Sequence, residues 1–224
     1  VNKKLAVAIV SGGMDSVTLA YRLAAEGYEL SMLTFDYGQR HFREISCARK
    51  CAERLGAKHQ VVNVSCLNRL LPGSSLTDPS VPVPDGHYAE ETMKATVVPN
   101  RNAIMLSIAW GHAVAIGAEV VAIGAHAGDH FIYPDCRRPF LQALEDCFKA
   151  GNEGFGHPGL ELHAPFLEWT KATIAREAAT LGVHLEETWS CYKGGDLHCG
   201  TCGTCTERRE AIREAGLQDL TPYE

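Results

Sequence analysis

The sequence predicts an α/β fold, a doubly wound and mainly parallel sheet, with a separate cysteine-rich element at the C-terminal end. Three observations predict it. Residues 5–10 are an unbroken apolar run that reads as a buried strand, and residues 17–26 carry helical spacing, with Ser11-Gly12-Gly13-Met14-Asp15-Ser16 as a glycine turn between them. Strands and helices then alternate along most of the chain, the pattern of a parallel sheet covered on both faces. Near the end, Cys191, Cys199, Cys202 and Cys205 crowd into one short stretch.

Taken in order, residues 28–35 read as a second strand, 36–40 as a loop, and 43–55 as a helix closed by Gly56. Residues 60–64, rich in β-branched side chains, give a third strand. Ligands of such sheets sit at the carboxyl ends of the strands, so the Ser11 loop and the Asp36-Tyr37-Gly38-Gln39 loop are expected to line one crevice. Residues 71–98 break the alternation with Pro72, Pro79, Pro82 and Pro84 among glycines and serines. A loop of that length is a lid, a binding loop or disordered. A helix is expected at 102–117, a strand at 119–124, and then a loop over 125–138 dense in His, Asp, Tyr and Cys. A helix at 140–149, a short strand at 161–163 and a helix at 170–181 closed by Gly182 complete the expected core.

At 224 residues and 46% apolar content the chain suits one full α/β core. No apolar stretch nears the ~20 residues that cross a membrane, and the start lacks the basic-then-apolar pattern of a secretory signal. A cytoplasmic protein with no membrane partner is expected. The formal net charge of −6 argues against a nucleic-acid surface, which carries a basic face. Arg208, Arg209 and Arg213 interleave with Glu207, Glu210 and Glu214 and read as a solvated helix face. A homodimer stays open.

Gly12 and Gly13 allow backbone angles that turn several N–H groups toward one anion. The helix N-terminus adds partial positive charge, and Ser11 and Ser16 add hydroxyl donors. Such a site suits a phosphate. It is not a loop of the GxxxxGK[ST] kind, since no lysine follows the glycines.

The spacing C-x7-C-x2-C-x2-C matches tetrahedral zinc, which is closed to water and therefore structural when all four ligands are thiolates. An iron–sulfur cluster takes the same ligands. The division expected is a nucleotide-binding α/β domain over residues 1–185 and a zinc-binding element over 186–224 packed on it. The total of nine cysteines is odd and does not suit an extracellular disulfide framework. Cys47, Cys51, Cys66 and Cys147 are expected to pack in the core, and Cys136 to be packing or pocket wall.

The glycine loop resembles the SGGxDS loop of the ATP pyrophosphatases, the PP-loop superfamily, which grip the pyrophosphate end of ATP while its α-phosphorus is attacked. Four further motifs follow in order: Asp36-Tyr37-Gly38-Gln39, Val98-Pro99-Asn100-Arg101-Asn102, Tyr133-Pro134-Asp135-Cys136-Arg137, and Cys199-Gly200-Thr201-Cys202-Gly203-Thr204-Cys205 with Thr206-Glu207-Arg208-Arg209 behind it. With them the chain resembles, nearly end to end, the 7-cyano-7-deazaguanine synthase (QueC) family. It departs from the family wording at His126 and His130, where Asn and Tyr are usual, which bears on the substrate pocket.

The resemblance implies a PP-loop fold, a structural zinc and Mg²⁺ with ATP. It implies an ATP-dependent ligase that turns 7-carboxy-7-deazaguanine and ammonia into the queuosine precursor 7-cyano-7-deazaguanine (preQ0). It carries ATP binding to Val10, Ser11, Gly12, Gly13, Met14, Asp15, Ser16, Val17, Thr18 and Leu19, with Asp15 helping to bind Mg²⁺. Arg101 would stabilise phosphate charge through its planar fork, with Lys171 as a second candidate. Asp135 would accept the N1–H and amino hydrogens of the guanine-like ring. Asp129 is an alternative for that role or for positioning ammonia, Tyr133 would stack on the ring, and Tyr37, Gln39 and Arg137 complete the substrate set. No residue reads as a covalent nucleophile, so catalysis would rest on positioning and charge. With no room for a glutaminase domain, free ammonia is the nitrogen source implied.

The nearest rival is a tRNA-thiolating or amidating enzyme of the same superfamily, for which the four cysteines would be catalytic or hold iron. A regulatory zinc protein is a third reading, and it leaves the glycine loop unexplained.

Overall fold

The computed structural model describes residues 4–39, 42–78, 80–87 and 93–224. Pro79, residues 88–92 of the expected loop and Arg40 lie outside the described residues. The strands are β1 (Leu5–Ile9), β2 (Glu29–Asp36), β3 (Lys58–Asn63), β4 (Val120–Ala122) and β5 (Glu161–His163). They pair in parallel in the order β3-β2-β1-β4-β5. The helices are α1 (Met14–Ala25), α2 (Arg43–Leu55), α3 (Arg101–Ile116), α4 (Arg138–Gly151), α5 (Lys171–Thr180) and α6 (Gly203–Glu214). The strand order reverses between β1 and β4, which puts a ligand crevice at their carboxyl ends.

The apolar run of β1 is continuous because both faces of the sheet are covered. Val7 and Ile9 enter one core with Leu33, Phe35, Leu106, Trp110 and Val121, under α3 and α4. Ala6, Ala8 and Val10 enter the other with Leu19, Leu23, Met32, Ala48 and Ile174, under α1, α2 and α5. The alanines on this second face leave room for α1 to lie close to the sheet. Helix α1 begins at Met14, earlier than its apolar spacing implies, because Gly13 already serves as the N-cap. Strand β4 is shorter than expected, since Gly124 leaves the sheet to pass against the backbone of Asp15 and Ser16.

The described part of the 71–98 segment is tied to the cysteine element. Asp85 bridges to Cys202, the Gly86 N–H donates to the Thr201 carbonyl at 3.0 Å, and Asp85 pairs with Lys193.

Two expectations are corrected. Arg208 is not on a solvated face: it is fully buried and donates to Thr221, Thr188, Ser190 and the Leu185 carbonyl. With Ala211 and Ile212 it forms the buried stripe of α6, while Arg209, Arg213 and Glu214 face outward. The second concerns cysteines. Cys51 is buried and Cys47 partly so, but Cys66 and Cys147 are exposed, one in a 3-10 turn after β3 and one on the outer face of α4. Among the described residues no helix is long and apolar enough to cross a membrane.

Candidate active site

The glycine loop closes on itself through its two serines. The Ser11 N–H donates to Ser16 Oγ at 3.1 Å, the Ser16 hydroxyl donates to the Gly13 carbonyl at 3.2 Å, and Ser11 Oγ accepts from the Gly13 N–H at 3.4 Å. The first turn of α1, whose N–H groups have no intrahelical acceptor, opens into the crevice behind it. Gly12 has φ +96, and a Cβ there would overlap the Glu44 carbonyl oxygen and stand 3.0 Å from Ala48 N. On its other side the Gly12 carbonyl accepts from the Trp189 N–H at 2.9 Å. The loop is clamped between α2 and the segment leading to the cysteines. Gly12→Ala is therefore expected to lower stability by about 2–4 kcal/mol in urea denaturation.

Facing the loop is a buried charge network. Lys171 Nζ stands 3.2 Å from Asp15 Oδ2 and donates to Glu207 Oε2 at 2.7 Å. Among the described residues Asp15 Oδ1 is buried with no hydrogen-bond partner. Burial works to raise the Asp15 carboxyl, but Lys171 and His126 outweigh it and hold it below its ordinary value. Burial likewise opposes the Lys171 charge, and Asp15 and Glu207 outweigh it. His126 is 2% exposed, and its Nδ1 accepts from the Gly128 N–H at 3.1 Å, which leaves Nε2 facing the acids. That nitrogen lies 3.6 Å from Asp129 Oδ1 and 4.0 Å from Asp15 Oδ2. One lysine among three carboxylates leaves a site suited to a further cation.

The other end of the cleft is aromatic. Asn100 takes a left-handed φ of 56, which asparagine tolerates, and this turns Arg101 into the cleft at the start of α3. The Arg101 guanidinium lies 5.8 Å from the centre of the Tyr37 ring. Tyr133 is locked by a 2.6 Å bond to Thr96 Oγ1, and Asn102 donates to Cys136 Sγ at 3.3 Å, so the two motifs brace each other. Burial pushes Tyr37 up to about 12 and Glu44 up to about 7, the latter against the lowering pull of Arg101. Burial also raises the Cys136 thiol, with Asp129 and Asp135 adding to it, which leaves it protonated and unreactive. Together the two ends line one open cleft.

Cys191, Cys199, Cys202 and Cys205 place four sulfurs within 4.8 Å of one another, with Cys199 and Cys205 at 3.9 Å. A tetrahedron with metal–sulfur bonds of about 2.3 Å has edges of about 3.8 Å. The fit is good, and the cluster can hold a metal ion in a manner consistent with zinc. The Cys202 N–H points at Cys199 Sγ at 3.3 Å. Cys202 is also the N-cap of α6, the helix that carries Thr204 and Glu207 to the cleft.

Ser11, Gly13, Asp15, Ser16, Tyr37, Arg101, Asp129, Tyr133 and Lys171 share the walls of this one cleft. Val10, Val17, Thr18 and Leu19 lie buried behind the loop, and Met14 packs on Ala175 and Ala211. Gln39, Asp135 and Arg137 stand outside the walls. The Gln39 amide folds back to accept from the Tyr37 N–H and donate to the Phe35 carbonyl, and Arg137 donates to the His130 carbonyl. Glu44, Tyr192 and Glu207 were not among the expected site residues, and His126 entered only as a departure. The one signal for Glu44 was its place in the first turn of the helix after the Asp36 loop.

Residues 5–216 match the family described as queuosine biosynthesis protein QueC. The 7-cyano-7-deazaguanine synthase of Rhizobium rhizogenes is 52% identical over 218 residues, covering 97% of this chain and 91% of that protein. The one of Brucella ovis is 54% identical over 216 residues, covering 96% and 92%. Among solved structures, a 4-thiouridine synthetase–RNA complex with bound ATP aligns with a TM-score of 0.52 at 16% identity, over 95% of this chain and 50% of that one. The last likeness shows a common fold.

Proposed function

The chain belongs to the QueC family, and from that premise we propose that it is an ATP-dependent ligase making 7-cyano-7-deazaguanine from 7-carboxy-7-deazaguanine and ammonia, with both activations carried out in the one cleft. A carboxylate oxygen is a poor leaving group. Attack of that oxygen on the α-phosphorus of ATP releases pyrophosphate and leaves an acyl adenylate. Ammonia then displaces AMP and gives the amide. A second ATP activates the amide oxygen in the same way, and loss of AMP and the remaining N–H protons leaves the nitrile.

The N–H groups and hydroxyls of residues 11–16 hold the phosphates, aided by the dipole of α1. Mg²⁺ arriving with ATP would neutralise phosphate charge, and the unpartnered Oδ1 of Asp15 is the atom suited to hold it. Lys171 and Arg101 oppose charge developing at the α-phosphorus from two sides of the cleft. Asp129, whose Oδ2 accepts from the His126 backbone N–H, receives the incoming ammonium. Tyr37 and Tyr133 offer ring faces to the flat substrate. Residues 186–224 form a zinc element packed on the 1–185 domain, and the zinc is structural because four thiolates leave no position for a substrate. A supply of ATP and ammonia suits the cytoplasm.

The observation that supports this reading best is the bare Asp15 oxygen beside Lys171 at the mouth of the glycine loop, opposite an aromatic end. Incubation with 7-carboxy-7-deazaguanine, ammonium and Mg-ATP, followed by mass spectrometry, should show the nitrile with AMP and pyrophosphate. A folded, zinc-loaded sample that gives no nitrile would contradict the proposal.

A further inference from the structure

Among the described residues the walls of the cleft hold three acids: Asp15, Asp129 and Glu44. Asp15 is paired with Lys171, and Asp129 lies against His126, both at the glycine-loop end. Asp135, the acid that the sequence offered for the guanine-like ring, sits in a 3-10 turn outside the walls. Glu44 enters no hydrogen bond or ion pair among the described residues and stands at the aromatic end with Arg101, Tyr37 and Tyr192.

We propose that Glu44 is the carboxylate that reads the guanine edge of the substrate, accepting its N1–H and its 2-amino hydrogen in a two-pronged pair. This rests on the reaction proposed above. The chemistry fits because two parallel N–H donors match the two oxygens of one carboxylate, and a charge-assisted pair of that shape gives both strength and orientation. The position fits as well. The Glu44 carbonyl is in close contact with Gly12, so the first turn of α2 and the phosphate loop move as one body. A ring held by Glu44 is then set at a fixed distance from the α-phosphorus, which is what an in-line attack requires. The groups facing Glu44 are the Arg101 guanidinium, the hydroxyls of Tyr37 and Tyr192, and the thiol of Cys47 on its own helix. Apart from Arg101, whose guanidinium is engaged with Tyr37, none of these offers two converging N–H donors with the spacing of the guanine edge. Burial keeps the empty carboxyl near the point of protonation, and donors from the substrate would favour its ionised form.

The test compares wild type with Glu44→Gln on two substrates, 7-carboxy-7-deazaguanine and its analogue lacking the 2-amino group. The variant should keep its thermal midpoint and raise KM for the parent substrate by about 10- to 100-fold, with KM for ATP changed less than about twofold. Wild type should discriminate against the analogue by about tenfold or more, and Glu44→Gln should lose that discrimination. Equal discrimination by both proteins, or a rise confined to KM for ATP, would overturn the assignment of Glu44. Absence of nitrile from the parent substrate with wild type would instead overturn the reaction on which it rests.

Discussion

Cys202→Ser is expected to cost the protein the metal ion that its four cysteines can hold and about 3–5 kcal/mol of stability, and most of its activity with them. Three consequences meet at this residue. Its sulfur is one of four that close the tetrahedron, and a neutral hydroxyl does not replace a thiolate. Its backbone caps α6, whose Arg208, Ala211 and Ile212 are buried against the rest of the chain. The same helix delivers Glu207 to Lys171, and the segment before it delivers the Trp189 N–H to the Gly12 carbonyl. Loosening the knuckle therefore loosens both sides of the phosphate loop. Metal analysis with urea denaturation checks this. The control is Cys66→Ser, at an exposed thiol, which should change neither quantity. A Cys202→Ser protein with full zinc and an unchanged midpoint would show that the cluster is not what holds the tail.

Asp15→Asn is expected to lower kcat by about a thousandfold while leaving the thermal midpoint nearly unchanged. The amide keeps the shape of the side chain, and Lys171 retains Glu207 as a partner, so the fold loses little. What disappears is the negative charge beside the phosphate loop, and with it the oxygen suited to hold Mg²⁺. Lys171 and His126 keep the native carboxyl ionised well below neutrality, so protonation of Asp15 does not limit the wild type in the working range. The deficit of the variant should then be the same at every pH from about 6 to about 9. Steady-state kinetics at saturating ATP measures it. A kcat within about tenfold of wild type would remove Asp15 from the chemistry.

Much of the fold could be read from the chain because its signals were local. The run of residues 5–10 had to be buried on both faces, and the glycines that follow it could only be a turn, so β1, the loop and α1 were legible together. The cysteine spacing was equally local. What escaped detection were contacts that only the folded chain makes. The even spread of charge in residues 207–214 concealed that one arginine points inward, and only the set Arg208, Ala211 and Ile212 betrays that stripe. Gln39 and Asp135 belong to motifs that border the cleft, yet their side chains serve the turns they sit in or stay outside its walls. Glu44 shows the reverse. Nothing about a glutamate in a first helical turn is unusual, and only the packing of Gly12 against α2 brings it to the site.

The central step of the proposed mechanism is transfer of the carboxylate oxygen to the α-phosphorus of ATP, and isotope labelling reads it directly. With both oxygens of the 7-carboxy group enriched in ¹⁸O, the nitrile and the nucleotide products are followed by mass spectrometry over a single substrate pool. Both labels are expected in AMP, one in each of the two AMP molecules released per nitrile, and none in pyrophosphate. Label in orthophosphate with ADP as the nucleotide product would place the attack at the γ-phosphorus and contradict the role given to the glycine loop.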